Sequence, residues 1–469
     1  MSNSVVSEGD YVVFKRDGAT RVFQMKKNRQ VFFEKAKLSV DELIGQPFGS
    51  TFEFERGKII KVESSRATEL QIGGAEVTGA DNRNLLDADS NQKMSLDDIM
   101  KMKEDGVRGE KIIEVLIENS ETFKTKTQFS QAKYLKKKKQ KHILRFKLLR
   151  PTTRLVVEIF SKEPNKICNM RPDTLSQLLS YSNVRWGSHV GVVETCQGLV
   201  LAALLERMGG QGKLIHFIPN TNDTMCRQVM DYFNFPKDHL SNFYYLPITA
   251  LSNLQETEVK RQTQELGLDS LIPATTDEDF SDSNVKQECK PNQSLELPAD
   301  EEVLEGEHQS LKELTDTKLV GDEKKNGADV EMLDSTVSQA LNTKREMEAA
   351  RDIKRQQRAE RLKVASMIIK EKKLDSLVIA CKYNPTPILM KLLDFVPPSR
   401  PVVVYCQFIE PLVECYSVIK EKQIGLQLKL SETWFREYQV LPQQTRPSIN
   451  MSGTGGYLLT FMTTQPCPP

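Results

Sequence analysis

The sequence has no Cys-x-x-Cys pair among its eight cysteines, which are scattered from Cys168 to Cys467. That absence removes the spacing of a structural zinc site and of a disulfide framework. The thiols read as reduced core residues of an intracellular protein. The five histidines show no metal-ligand spacing either. No apolar run approaches the roughly 18 residues of a membrane span, and the N-terminus lacks a signal-peptide pattern. The sequence therefore reads as that of a soluble protein. An excess of one charge is also missing. Lys and Arg number 65 against 64 Asp and Glu, a net charge of +1, so no global field points to nucleic acid or membrane. The charge is unevenly distributed along the chain, and that carries more information.

A length of 469 residues suggests about two to four domains. Residues 1–80 read as a small, barrel-like β domain. Short β-branched and aromatic runs at Tyr11–Phe14, Arg21–Gln24 and Gln30–Phe33 are separated by turn residues, with Phe48, Phe52 and Phe54 placed to close it. Residues 81–150 read as a polar loop, two short helices and a lysine-rich linker. Ser95 followed by Asp98 marks a capped helix start, and residues 110–118 carry apolar side chains at helical spacing. Residues 151–255 and 343–469 read as two halves of one α/β domain. Strands are expected at His189–Glu194, Lys213–Phe217, Phe243–Ile248, Ser376–Ala380, Pro401–Cys406, Gly425–Leu430 and Gly456–Phe461. Helices are expected at Leu199–Met208, Met225–Phe233 (capped by Asp223 or Thr224), Arg345–Lys373, Thr386–Leu393 and Pro411–Lys422. Alternating β and α units predict a mostly parallel sheet with helices on both faces. Residues 256–342 are acidic, polar and nearly free of aromatics. They cannot bury enough apolar surface to offset chain entropy and read as a disordered insertion.

The segment Val190 to Val200 has the layout of a nucleotide-cradling strand, turn and helix. Its apolar strand ends in Glu194, as in Rossmann-like methyltransferases, where a Gly-x-Gly-x-Gly turn lets the backbone approach the cofactor. Here Thr195, Cys196 and Gln197 occupy the turn and only Gly198 remains. Each added Cβ takes up space and restricts φ. The second strand is followed by Pro219 and Asn220, with no acid to bind ribose hydroxyls. After the fourth strand, Asn384-Pro385 only partly matches an Asn-Pro-Pro-aromatic substrate turn, and a proline early in a helix explains it without chemistry. The motif at Glu194 and Gly198 is therefore degenerate, with a retained fold around a vacated pocket.

The run Lys133 to His142 is compatible with a solvated face, a nuclear-import patch or an RNA contact, with Tyr134 as a stacking surface in the last case. Arg345 to Lys373 is a second basic stretch, equally compatible with a surface helix of Glu–Lys pairs. Cys196 has no His or acid constellation and reads as a buried thiol. Trp434 reads by default as a packing aromatic.

Taken in order, several segments resemble one family. They are Asp81–Leu85, Glu118–Phe123, the lysine run, Glu194–Val200, Pro385–Pro387, Leu393–Pro401, Leu430–Trp434 and Gly455–Leu459. Together they closely resemble the non-catalytic subunits of the eukaryotic tRNA (adenine-58-N1) methyltransferase, over nearly the whole chain apart from the acidic insertion. The resemblance implies a nuclear heterotetramer of two catalytic and two non-catalytic subunits. The catalytic partner would hold S-adenosylmethionine and methylate a T-loop adenosine of tRNA. This chain would bind no cofactor, carry no catalytic residue, complete the assembly and supply tRNA surface. The implied tRNA contacts are first the loop Asn82, Arg83, Asn84, Leu85, Leu86, Asp87, Ala88, Asp89, Ser90, Asn91 and Gln92. Next come Lys133, Tyr134, Leu135, Lys136, Lys137, Lys138, Lys139, Gln140, Lys141 and His142. Further contacts are Arg358, Lys382, Gln407, Glu410, Glu432, Trp434 and Arg436. Two alternatives remain open at this stage: an active S-adenosylmethionine-dependent RNA methyltransferase with an atypical pocket, or a protein-interaction scaffold.

Overall fold

The structure is a computed structural model. It describes residues 5–16, 18–34, 36–55, 57–62, 92–218, 228–252, 349, 352–353, 355–440, 445–449, 451 and 453–465. The loop 82–91, the acidic insertion 256–342 and the caps expected at Asp223 and Thr224 lie outside the described residues.

The N-terminal part is built on a five-stranded antiparallel sheet in the order β2-β1-β7-β5-β6. Its strands are β1 (Tyr11–Arg16), β2 (Ala19–Gln24), β5 (Thr51–Glu55), β6 (Lys58–Val62) and β7 (Leu144–Leu149). A separate hairpin, β3 (Gln30–Phe33) with β4 (Ala36–Ser39), packs its Val31, Phe33 and Leu38 into the same core. An aromatic cluster fills this core: Phe14 stacks on Phe146 at 5.0 Å, and Phe33 meets Phe14 edge-on at 5.7 Å. Offset and edge-on pairs suit the ring quadrupole. Phe52 is buried in the cluster and Phe48 and Phe54 pack at its margin. Among the described residues the five strands do not close on themselves by hydrogen bonding; the β3–β4 hairpin packs into their core instead. Strand β7 lies in the stretch expected as linker. It alternates Phe146 and Leu148 inward with Lys147 outward, the period of a half-buried strand.

Among the described residues, three α-helices precede β7. The first, α1 (Leu96–Glu104), has the expected capping box between Ser95 and Asp98. The second, α2 (Gly109–Glu118), buries Ile112, Ile113 and Leu116. The third, α3 (Gln128–His142), contains the whole lysine run, with Thr127 as N-cap accepting from the Ser130 N–H. Its last turn carries Lys139 and Lys141, cations that oppose the negative end of the helix dipole.

The C-terminal part is a seven-stranded sheet in the order β10-β9-β8-β11-β12-β16-β13. The strands are β8 (His189–Glu194), β9 (Lys213–Ile218), β10 (Phe243–Pro247), β11 (Ser376–Ala380), β12 (Pro401–Cys406), β13 (Gly425–Glu432) and β16 (Tyr457–Thr463), and between the last two in the chain β14 (Tyr438–Gln439) and β15 (Arg446–Pro447) form a separate antiparallel pair. The first five are parallel, and β16 is antiparallel to both β12 and β13. All seven expected strands are present. The alternating residues separate two cores. Val190, Val192, Val378, Val403 and Leu458 face one side, against α4 (Thr153–Ile159), α5 (Pro172–Tyr181) and α6 (Leu199–Met208). Val193, Leu377, Ile379, Val402 and Val404 face the other. There they meet Ala365, Ile368 and Ile369 from the helical residues 361–370, together with α7 (Pro385–Leu393) and α8 (Glu410–Glu421). The sheet order reverses between β8 and β11, which opens a crevice at their C-terminal ends, the usual ligand position in such sheets.

The two parts are joined by side chains. Asn234 accepts from the Tyr11 N–H and donates to the Tyr11 carbonyl, both at 2.7 Å. Glu158 accepts from Lys15 at 2.7 Å and from Thr20 at 2.8 Å.

Candidate cofactor turn and nucleic-acid interface

Glu194 closes β8 at the switch point and is 3% exposed. Its carboxylate turns back onto α6, accepting from the Gly198 N–H at 2.5 Å and the Val200 N–H at 3.0 Å. These are orphan donors of the first helical turn, so the acid caps its own helix. Burial raises its carboxyl to about 8, against the lowering effect of the backbone N–H groups. Gln197 (φ 57°) and Gly198 (φ 87°) both take left-handed backbone. For Gln197 that conformation costs about 1 kcal/mol.

The side chains that replace the missing glycines bond across the crevice. The Thr195 N–H donates to the Ala380 carbonyl at 3.0 Å, and the Thr195 hydroxyl accepts from the Lys382 N–H at 2.9 Å. Cys196 is fully buried and points its thiol at the Ala380 carbonyl, 3.6 Å away. From the other side, the Tyr405 hydroxyl donates to the Cys168 carbonyl at 2.6 Å. Among the described residues, Tyr405 is the largest fully buried side chain. It packs on Gly456, where a Cβ would fall 2.5 Å from the ring. The crevice is thus occupied by this chain's own residues. Tyr405 was not singled out in the sequence, although it lies on the same face as Val403 in a period-two strand. At the end of β9 there is no carboxylate through Ile218. Asn384 caps α7 by accepting from the Thr386 N–H and donates to Glu414, so its polar groups serve the local fold.

The exposed members of the lysine run share one helical face. Lys133, Lys136, Lys137, Gln140 and Lys141 are exposed, while Leu135, Lys138, Lys139 and His142 are half-buried. Desolvation lowers the Lys138 and Lys139 ammonium groups. Burial, then the charges of Lys103, Lys138 and Lys141, push His142 down to about 4, so it is neutral at physiological pH. The Tyr134 ring is engaged within the protein. Phe123 lies 5.5 Å from it, the ammonium groups of Lys126 and Lys138 sit over it at 5.6 and 5.2 Å, and its hydroxyl donates to Gln92 at 3.4 Å. The helix therefore presents charge, and Tyr134 anchors it to Gln92 and Phe123.

The remaining contacts expected from the sequence divide into two groups. Lys382, Gln407, Glu410, Glu432, Trp434 and Arg436 all follow or end strands on the same sheet edge as Glu194. Arg358 is exposed on the helical residues 355–370. Trp434 is 74% exposed, which overturns the packing role expected by default. It lies outside the core because Arg171 fixes the preceding backbone: its guanidinium donates to the Thr433 carbonyl and hydroxyl, and to the Gly453 carbonyl. Within this arm Arg436 donates to Met451 and to the Ser448 carbonyl, and Glu432 accepts from Thr454. Exposed Phe408 lies in the 407–415 turn, which the resemblance implies as a contact, and exposed Tyr383 stands beside Lys382 in the chain, signalled only by its position at a strand end.

A model described as the Gcd10p family matches residues 5–279. The chain belongs to the Gcd10p family. Among curated relatives of this Gcd10p chain is the tRNA (adenine(58)-N(1))-methyltransferase non-catalytic subunit TRM6 of Mus musculus. It is 36% identical over 472 residues, covering 99% of this chain and 89% of the relative. The corresponding subunit of Dictyostelium discoideum is 30% identical over 465 residues, covering 98% and 79%. The Gcd10p chain thus groups with subunits named non-catalytic. Among solved structures, a SAM-dependent O-methyltransferase from Thermotoga maritima aligns with a TM-score of 0.47 and 9% identity, covering 99% of this chain and 97% of the other. The tRNA (m1A58) methyltransferase TrmI from Aquifex aeolicus aligns with a TM-score of 0.43 and 11% identity, covering 98% and 99%. Among the described residues no helix is long and apolar enough to cross a membrane.

Proposed function

We propose that this chain is the non-catalytic, tRNA-binding and assembly subunit of the complex that forms N1-methyladenosine at position 58 in the tRNA T-loop. It works in the nucleus with a separate catalytic chain, two copies of each forming a heterotetramer. The catalytic chain binds S-adenosylmethionine; this one binds none.

The observation that carries the reading is the filled crevice. A nucleotide-like cofactor needs backbone approach at the turn after β8 and an acid free to bind it. Glu194 is instead committed to the Gly198 and Val200 N–H groups, and Thr195 and Cys196 bond to the end of β11. The residues present do not fit the cofactor. For tRNA, support comes from the exposed lysine face of α3, since phosphate neutralisation by lysines is the main source of non-specific affinity. For the partner, support comes from relatives whose names describe a subunit.

The test is methyl transfer from labelled S-adenosylmethionine to tRNA by this chain, by the catalytic chain, and by the two together. Activity in the mixture alone is expected. Activity from this chain alone would overturn the reading and return Glu194 to a catalytic site.

A further inference from the structure

The five cysteines within the described residues are all buried and unbridged, and they separate by sheet face. Cys168 and Cys196 lie in the core beside α5 and α6. Cys381, Cys406 and Cys415 lie in the opposite core. We propose that Cys168 and Cys196 are a peroxide-reactive dithiol, in which Cys168 attacks the oxidant and Cys196 resolves it as a disulfide across the filled crevice. The inference is independent of the function proposed above.

The roles follow from placement. Cys168 ends the short helical turn Pro164–Ile167 in left-handed backbone, with φ 53°. It keeps 7% of its surface exposed, whereas Cys196 has none, so a small oxidant meets Cys168 first. The Cys168 sulfur lies 3.5 Å from the hydroxyl of Thr195, the residue next to Cys196, and both cysteines are buried in the same core. The Cys196 hydrogen bond, then the Thr195 hydroxyl and the Lys382 charge, outweigh burial and lower the Cys168 thiol. The same pairing and burial raise Cys196. The two shifts run in opposite directions, which favours Cys168 over Cys196 as the attacking thiol. The thiols on the other face are all raised by burial, Cys381 to about 12. A thiolate is the nucleophile in such chemistry, so the two faces should differ in reactivity.

The chemistry balances with hydrogen peroxide as oxidant. The Cys168 thiolate attacks one peroxide oxygen and the O–O bond breaks. The leaving hydroxide takes a proton to become water, and Cys168 becomes a sulfenic acid. The Cys196 sulfur then attacks the Cys168 sulfur. An S–S bond forms, the S–O bond breaks, and the departing oxygen leaves as water with the Cys196 proton. Two thiols have lost two electrons and peroxide has gained them. The sulfurs come to about 2.05 Å in the disulfide, and the turn after β8 becomes stapled to the 164–168 segment.

The test is peroxide treatment of the full chain, trapping of free thiols by an alkylating agent after unfolding, and peptide mapping by mass spectrometry. A linked Cys168–Cys196 peptide that disappears on reduction is expected, with Cys381, Cys406 and Cys415 still alkylated. In Cys196→Ser the linked peptide should be lost and Cys168 should be captured by a sulfenic-acid probe. Full alkylation of both thiols in peroxide-treated wild-type chain would overturn the proposal. So would oxidation of the opposite-face thiols at an equal rate. Both readouts stand on the wild-type chain should the variant fail to fold.

Discussion

Replacing Glu194 by Gln should change how stability depends on pH. Glu194 is fully enclosed, and its carboxyl is raised from 4.5 to about 8, burial being the largest cause. Between these values the folded chain holds a proton that the unfolded chain releases. The stabilisation is complete below about pH 4.5 and is lost as pH climbs through about 8. A change of roughly 3.5 units at about 1.36 kcal/mol each gives a ceiling of roughly 5 kcal/mol. Glutamine does not titrate, so Glu194→Gln removes this slope. At pH 5 the variant should be weaker by about 1–3 kcal/mol, because its amide NH2 faces one of the two backbone N–H donors. As pH rises the wild type loses its protonation advantage, so the gap should narrow and then reverse. Urea unfolding at pH 5, 7 and 9 measures both curves. Parallel curves would refute the reasoning: the carboxylate would then be ionised in the folded chain, its backbone donors outweighing burial.

Two further outcomes concern the lysine face and the end of the sheet. Changing Lys133, Lys137 and Lys141 together to Ala should flatten the slope of log affinity for tRNA against log salt by about 2 to 3, at roughly 0.7–0.9 per phosphate contact. Fluorescence anisotropy with the assembled complex reads it, and an unchanged slope would remove this face from the interface. Gly456→Ala should destabilise the chain by about 2–4 kcal/mol, from left-handed backbone and the clash with Tyr405; a thermal melt within a degree of the wild type would show that Tyr405 moves freely.

The seven-stranded sheet was legible because parallel strands buried on both faces appear as apolar runs such as Pro401–Cys406. The N-terminal sheet was only half legible. Thr51–Glu55 alternates cleanly, but its pairing with β7 spans 92 residues at Glu53 and Arg145, and no local pattern carries such a pairing. Strand β7 was also obscured by the lysines immediately before it. At the site, the missing glycines were visible, but what filled their place was not: Tyr405 and Cys168 reach the turn from distant segments. Trp434 was misplaced because its exposure is set by Arg171, more than 200 positions away in the chain. For Tyr134 the lysines suggested a stacking ring, whereas Phe123 and Gln92 occupy it through tertiary packing.

The strand order of the N-terminal sheet governs how it is made. The β1–β2 and β5–β6 hairpins do not pair with each other; β7 lies between them and pairs with both. As the ribosome delivers the chain, two hairpins emerge early, and an isolated hairpin is marginal in water. The strand that unites them arrives only after α1, α2 and α3 have been synthesised. The lysine helix is therefore already made when β7 arrives to close the sheet. Interrupted synthesis before Leu149 leaves the edges of β1 and β5 without the strand that pairs with both, a species for chaperones to hold.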